Sequence, residues 1–211
     1  SARIEGADYV DSGNDYFSDK YGHGTRVASI IVANGPVLIG VAPKCTLFAA
    51  KCFNAGNPTP DSIADALEGL PAEIKIVIIA QSFLAKDFVS KKRSDNELKD
   101  VFRNCGRILL CTPGNNQNHD QAFNPIDKFP ASIDNAPNII SVAAVGAGKK
   151  IFKASAKSNF ITIAAPGENV KVISPYNTNN PLIESGTSYA APFVGGVLAL
   201  MYALMNKRNK I

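Results

Sequence analysis

The chain has 211 residues, 45% hydrophobic and 19% charged, with a net charge of +4. That length is enough to bury a full core, and that balance excludes an intrinsically disordered chain. Acids and bases are interspersed, and the basic cluster at Lys207, Arg208 and Lys210 reads as a solvated end rather than a nucleic-acid-binding arm.

No secretory signal stands at Ser1. The first apolar residues, in Ile4-Glu5-Gly6-Ala7-Asp8, are too broken by polar ones for a central buried strand. Gly22-His23-Gly24-Thr25-Arg26-Val27-Ala28 places a histidine at the start of a helix with Val27, Ile30 and Ile31 inward. Thr46 to Phe53 reads as a strand, and Ser62 to Leu70 as a short amphipathic helix with Asp61 as a candidate cap. Ile74 to Ala80 is a nearly continuous apolar strand, followed by a helix over Glu97 to Cys105 with Val101 and Phe102 inward. Ile108 to Cys111, Ile139 to Val145 and Ile161 to Ala164 are further short strands. Two polar stretches, Asn115 to Asp127 and Asn177 to Glu184, read as loops. From Ser188 a long apolar helix runs to about Met205, with Pro192 in its tolerated first turn. Its Gly, Ala and Pro content marks a core helix rather than a membrane span.

Apolar strands alternating with helices predict an α/β architecture, a mostly parallel sheet covered on both faces, in one domain over residues 1–211. Right-handed crossovers bring the loops at the carboxyl ends of the strands to one edge, where functional groups are expected. Cys45, Cys52, Cys105 and Cys111 include no C-x-x-C pair, and the chain has two histidines, so a zinc site is not expected. Free thiols in apolar surroundings are the favoured reading, with a disulfide as the alternative. Those thiols, with no secretory signal at Ser1, lean toward an intracellular setting.

Two segments carry chemistry. His23 lies between glycines that let other groups approach its imidazole, which titrates near neutral pH and can take and return a proton. In Gly186-Thr187-Ser188-Tyr189-Ala190-Ala191-Pro192 a serine opens a helix whose free N–H groups stabilise developing negative charge. Alone, each has a plainer explanation, a loop histidine and a helix cap. Together and in this order, they resemble the H-G-T-x-V-A and G-T-S-x-A-x-P motifs of the subtilase family of serine peptidases. Gly40-Val41-Ala42-Pro43, Phe129-Pro130-Ala131 and Ala165-Pro166-Gly167 resemble further landmarks of that family, and Thr112-Pro113-Gly114-Asn115 resembles its A-A-G-N segment.

The resemblance implies a three-layer α/β/α subtilisin-like fold and a serine endopeptidase acting by a Ser–His–Asp acyl-enzyme mechanism. Ser188 would be the nucleophile, His23 its base, and Asn115 an oxyanion donor. Ser82, Phe83, Leu84, Thr112, Pro113 and Gly114 would line the substrate cleft of a peptide or protein substrate. Leu84 and Ala85 stand where the family has glycines; the branched Leu84 would narrow the cleft toward small side chains or block it. No cofactor, metal or membrane is implied, and the loop at Asn34-Gly35-Pro36 is shorter than the calcium loop usual there. An α/β-hydrolase reading lacks its G-x-S-x-G elbow.

The family's aspartate is the missing piece. Asp11-Ser12-Gly13 has the right residues but lies too close to His23 to leave room for the intervening strand. Gly6-Ala7-Asp8-Tyr9-Val10 matches the strand that follows the aspartate, which puts the aspartate and the first strand upstream of Ser1. The closing helices after Met205 are also absent, so the core looks trimmed at both ends. A fragment, a compact variant and a catalytically impaired interaction domain all fit that pattern. A compact variant would replace the missing strand; otherwise an upstream segment or a second chain is expected to complete the sheet.

Overall fold

Residues 2–10, 18–53, 58–84, 92–115 and 128–208 are described in the computed structural model of the chain. In chain order the elements are β1 (Arg3–Asp8), α1 (His23–Val32), β2 (Thr46–Lys51), α2 (Pro60–Gly69), β3 (Ile76–Ile79), β4 (Phe83–Leu84), α3 (Asp95–Asn104), β5 (Ile108–Cys111), β6 (Lys128–Phe129), β7 (Ile139–Val145), β8 (Ile163–Pro166), β9 (Val170–Ser174), β10 (Asn177–Glu184) and α4 (Thr187–Arg208).

Four of the apolar runs form one parallel sheet in the order β3-β5-β7-β8. Successive residues of a strand face opposite ways, so a run that is apolar throughout must be covered twice. Leu109 and Cys111 of β5 pack with Ile63 and Leu67 of α2 and Leu98 and Phe102 of α3. Leu110, between them, packs with Val142 and Ala144 of β7 and Ala190 and Ala191 of α4. The result is a three-layer α/β/α arrangement, with α2 and α3 on one face and α4 on the other. The small residues of α4 let it approach closely. A Cβ on Gly195 would lie 2.6 Å from Ile78 Cδ1, so the helix backbone rests almost on the sheet.

Local signals set the helix ends. α2 begins at Pro60 rather than at the expected Ser62. Thr59 caps it, its hydroxyl accepting from Ser62 N–H at 3.1 Å, while Pro60 takes the first helical position. Asp61 is therefore not the cap; it lies buried in the first turn and is ion-paired with Arg93. Ser94 and Glu97 form the matching capping box of α3.

Three elements depart from the sequence expectation. Asn177–Glu184 is strand β10, not a loop, and pairs antiparallel with β9, which was not anticipated. Its asparagines and Pro181 have poor strand propensity, but β10 lies on the outside of a two-stranded ribbon, where little packing is required of it. The strand expected over Gly6 to Val10 is present, parallel to β2, but departs in its bounds, running Arg3–Asp8. The serine helix starts at Thr187, so Pro192 stands inside it rather than in its first turn; the helix is buried only through Gly196, and residues 201–208 are exposed all round. By length and composition α4 is apolar enough to cross a membrane, although its first half lies inside the protein.

Among the described residues, β2 pairs with β1 and β3 with β5, and no ladder joins the two sheets. The contrast in burial follows: Leu109, Leu110 and Cys111 of β5 are fully buried, whereas Ile76, Val77 and Ile78 of β3 are only half-buried. All four cysteines are free, and only Cys111 is fully buried.

Candidate active site

His23 is the first residue of α1, and Gly22 before it offers no side chain to cap the helix. Asp19 does so instead. Its carboxylate accepts from Gly22 N–H at 2.8 Å and from the Thr25 N–H and hydroxyl at 2.7 Å each. Sequence reading overlooked this residue; an acid just ahead of a helix start was the available signal. The imidazole is half-buried and stands edge-on to the Tyr189 ring, centroids 5.8 Å apart at 65°. Nε2 lies 3.4 Å from the Ala80 carbonyl oxygen, which can only accept, so in this arrangement Nε2 carries the proton. Burial lowers the pKa of His23, against the Ala80 hydrogen bond, which raises it. Arg26 lowers it further, and Asp19 and Glu184 raise it.

Ser188 reaches the same oxygen. Its Oγ donates to Ala80 O at 3.1 Å from the first turn of α4. Ala80 follows β3 directly, so one carbonyl at the carboxyl end of that strand gathers both side chains, at the edge where the topology led us to look. Asn115, four residues past the end of β5, has its Oδ1 accepting from Thr187 N–H at 3.0 Å, beside Ser188. The carboxamide's donor end faces Gly186: a Cβ there would lie 2.9 Å from Nδ2, and φ at Gly186 is 153°. His23, Ser188 and Asn115 thus converge on one small space.

The expected cleft residues divide. Phe83 is buried in the core cluster with Phe102 and Phe129. Thr112 and Pro113 are also fully buried, Thr112 Oγ1 lying 3.5 Å from Ile79 O. The side chains of these three are buried and do not line an open cleft. Ser82 and Gly114 come together, since a Cβ on Gly114 would lie 2.6 Å from Ser82 Oγ. Leu84 belongs to β4, and Ala85 lies outside the described residues.

A charged cluster under the imidazole was not foreseen. Arg26 pairs with Glu184 at 3.5 Å, donates to Tyr21 O at 3.2 Å, and both charges interact with the Tyr189 hydroxyl. No carboxylate among the described residues is hydrogen-bonded to His23. Asp19 caps α1, Glu184 faces Arg26, and Asp8 is buried against Lys51 at 2.9 Å. Asp11 lies outside the described residues.

The chain belongs to the subtilase family, whose profile matches residues 2–209. It is 31% identical over 194 residues to the Major intracellular serine protease of Bacillus subtilis, covering 89% of this chain and 57% of that protein. It is 30% identical over 202 residues to Subtilisin DY of Bacillus licheniformis, covering 94% and 69%. It also matches Subtilisin-like protease 2 of Plasmodium falciparum at 34% over 196 residues, or 89% of this chain and 14% of that protein. The chain therefore spans little more than half of the first of these relatives and a small part of the last. Among solved structures, a mutant of the protease domain of PatA superposes with a TM-score of 0.78 at 23% identity, covering 99% and 74% of the two chains. A cold adapted subtilisin-like serine proteinase gives 0.74 at 22%, covering 94% and 67%. These two likenesses show the subtilisin-like α/β fold.

Proposed function

We propose that the chain is the catalytic core of a serine endopeptidase. Ser188 Oγ attacks the scissile carbonyl, His23 Nε2 takes the hydroxyl proton, and the tetrahedral oxyanion is held by Asn115 Nδ2 and the Ser188 N–H at the start of α4. The acyl-enzyme forms as His23 returns the proton to the leaving amine, and water repeats the sequence to release the acid. The observation that carries this reading is the shared Ala80 carbonyl, which both side chains contact within 3.4 Å.

That contact also defines a resting state. With Nε2 protonated, His23 cannot accept from Ser188, and both groups donate to Ala80. The productive tautomer needs an acceptor at Nδ1. We assign that acceptor to a carboxylate on an extended segment, upstream in the same polypeptide or from a second chain, seated in parallel between β2 and β3. The unjoined edges of the two sheets and the half-exposed apolar face of β3 support it. A strand running alongside β3 ends next to Ala80, and so next to His23. Loss of the carboxylate partner of a triad histidine lowers turnover by about 10⁴, largely through the wrong tautomer.

The test is labelling by a fluorophosphonate in the full-length protein. Ser188 is modified, Ser188→Ala abolishes labelling, and the 211-residue chain without the completing segment labels far more slowly. An intact protein that takes no label while keeping its fold would instead be an interaction domain, which is the competing reading.

A further inference from the structure

Tyr189 follows the nucleophile directly, yet no step of the proposed reaction uses it. It is 6% exposed and packs with Ile30 of α1 and with Val170 and Val172 of β9. A phenol placed this deep has to satisfy its hydroxyl inside the protein. Here the hydroxyl meets both charges of the Arg26–Glu184 pair. Burial and the Glu184 carboxylate push its pKa up, so the group stays neutral. A neutral phenol can donate its O–H to Glu184 while its oxygen accepts from Arg26.

The three residues come from three elements. Arg26 stands one turn along α1 from His23, Tyr189 stands beside Ser188 on α4, and Glu184 ends β10 just ahead of the serine motif. α1 is fastened to the same ribbon a turn later, where Ile173 N–H of β9 donates to Ser29 Oγ at 3.0 Å. The phenol is thus gripped at its polar end by the helix of the histidine and by the strand that leads to the serine. Its ring meets the imidazole at 5.8 Å and 65°. An edge-to-face pair is favourable over a limited range of angles, so a ring that cannot swing restrains the ring it touches. That restraint matters here. Among the described residues the imidazole's hydrogen bond is to Ala80 O, and at 3.4 Å it is long. We infer that Tyr189 is a positioning residue: tethered by Arg26 and Glu184, its ring holds the His23 imidazole in the orientation from which it exchanges a proton with Ser188. This deepens the peptidase reading and rests on it for the use to which the imidazole is put. Proton transfer is steep in geometry, so a loosened base slows the chemistry and leaves peptide binding alone.

Two readouts in the full-length protein test this. Tyr189→Leu removes the ring and keeps apolar bulk, whereas Tyr189→Phe keeps the ring and removes the tether. In steady-state hydrolysis of a peptide ester, Tyr189→Leu is expected to lower kcat about tenfold and Tyr189→Phe about threefold, both with KM within about twofold of the parent. The NMR signals of the His23 ring, assigned by their disappearance in His23→Ala, report the contact without any turnover. Ring current from Tyr189 displaces these signals in the parent. The displacement vanishes in Tyr189→Leu and survives in Tyr189→Phe, where the lines broaden as the untethered ring moves. In variants that melt like the parent, an unchanged kcat and His23 spectrum in Tyr189→Leu overturns the inference, as does a loss that appears wholly in KM. Should Tyr189→Leu not fold, Tyr189→Phe decides alone: kinetics and His23 lines identical to the parent's overturn the inference, and a lowered kcat with broadened lines supports it. If the parent turns over and neither variant differs from it, the peptidase reading stands and the positioning role falls. If the parent neither turns over nor takes a fluorophosphonate, yet Tyr189→Leu still releases the His23 signals, the hold on the imidazole stands and the peptidase reading falls.

Discussion

Replacing Asn115 by aspartate separates two tasks that one carboxamide performs. Its Oδ1 accepts from Thr187 N–H at 3.0 Å, satisfying a free amide at the start of α4. Its Nδ2 end is the proposed oxyanion donor. Asn115→Ala removes both. The lost hydrogen bond costs about 1 kcal/mol of stability, or roughly 2–4 °C in Tm for a chain of this size. The lost donor costs about 2.7–4 kcal/mol of barrier, a figure carried over from a subtilisin. Asn115→Asp keeps the acceptor and adds a negative charge at a helix N-terminus, itself stabilising by about 0.3–1 kcal/mol. It leaves Tm unchanged or raised, while turnover falls at least as far as in the alanine variant, by about 10²–10³, because an anion now faces the oxyanion. Scanning calorimetry and steady-state hydrolysis of a peptide ester by the full-length enzyme read the two effects independently. An aspartate variant that keeps turnover within a few-fold of the parent would refute the assignment of Nδ2 to the oxyanion.

The charged cluster under His23 predicts opposite pH shifts. Glu184 raises the histidine pKa and Arg26 lowers it, so in kcat/KM profiles Glu184→Gln moves the acidic limb to lower pH and Arg26→Met moves it higher. Limbs that move together would mean the two act only through packing. Gly40→Ala should be among the most damaging single methyl additions, because its Cβ would lie 2.4 Å from the Ile31 carbonyl oxygen, a backbone atom that cannot step aside. A loss of about 3 kcal/mol, or roughly 6–12 °C in Tm by thermal melting, is expected. Burial pushes the Cys111 thiol up, and no part of Cys111 reaches solvent. Timed iodoacetamide labelling with peptide mapping should find Cys111 protected in native protein and alkylated only on unfolding.

How much of this was readable in the sequence depends on what kind of group carries it. The strands β3, β5 and β7 were legible because parallel strands covered twice write themselves as nearly continuous apolar runs rather than alternating ones. That His23 and Ser188 open helices was legible because each stands just ahead of an apolar helical run, after a glycine or a Gly-Thr pair. β10 was not, since a strand on the outside of a ribbon is held by its partner's hydrogen bonds and needs no apolar pattern. The cap of α2 was placed two residues late because Pro60, which marks the first turn, also resembles a loop residue. The meeting point of the site was invisible for a different reason. Ala80 contributes its backbone carbonyl, and no letter in a sequence distinguishes one carbonyl from another.

α4 is a single rod about 33 Å long, rising 1.5 Å per residue, and only its first half is gripped by the rest of the protein. Ser188 rides on the gripped end, while Leu204 and Met205 lie on the naked end. Such a rod acts as a lever. A load placed on the exposed half is carried along the helix to the turn that holds the seryl oxygen.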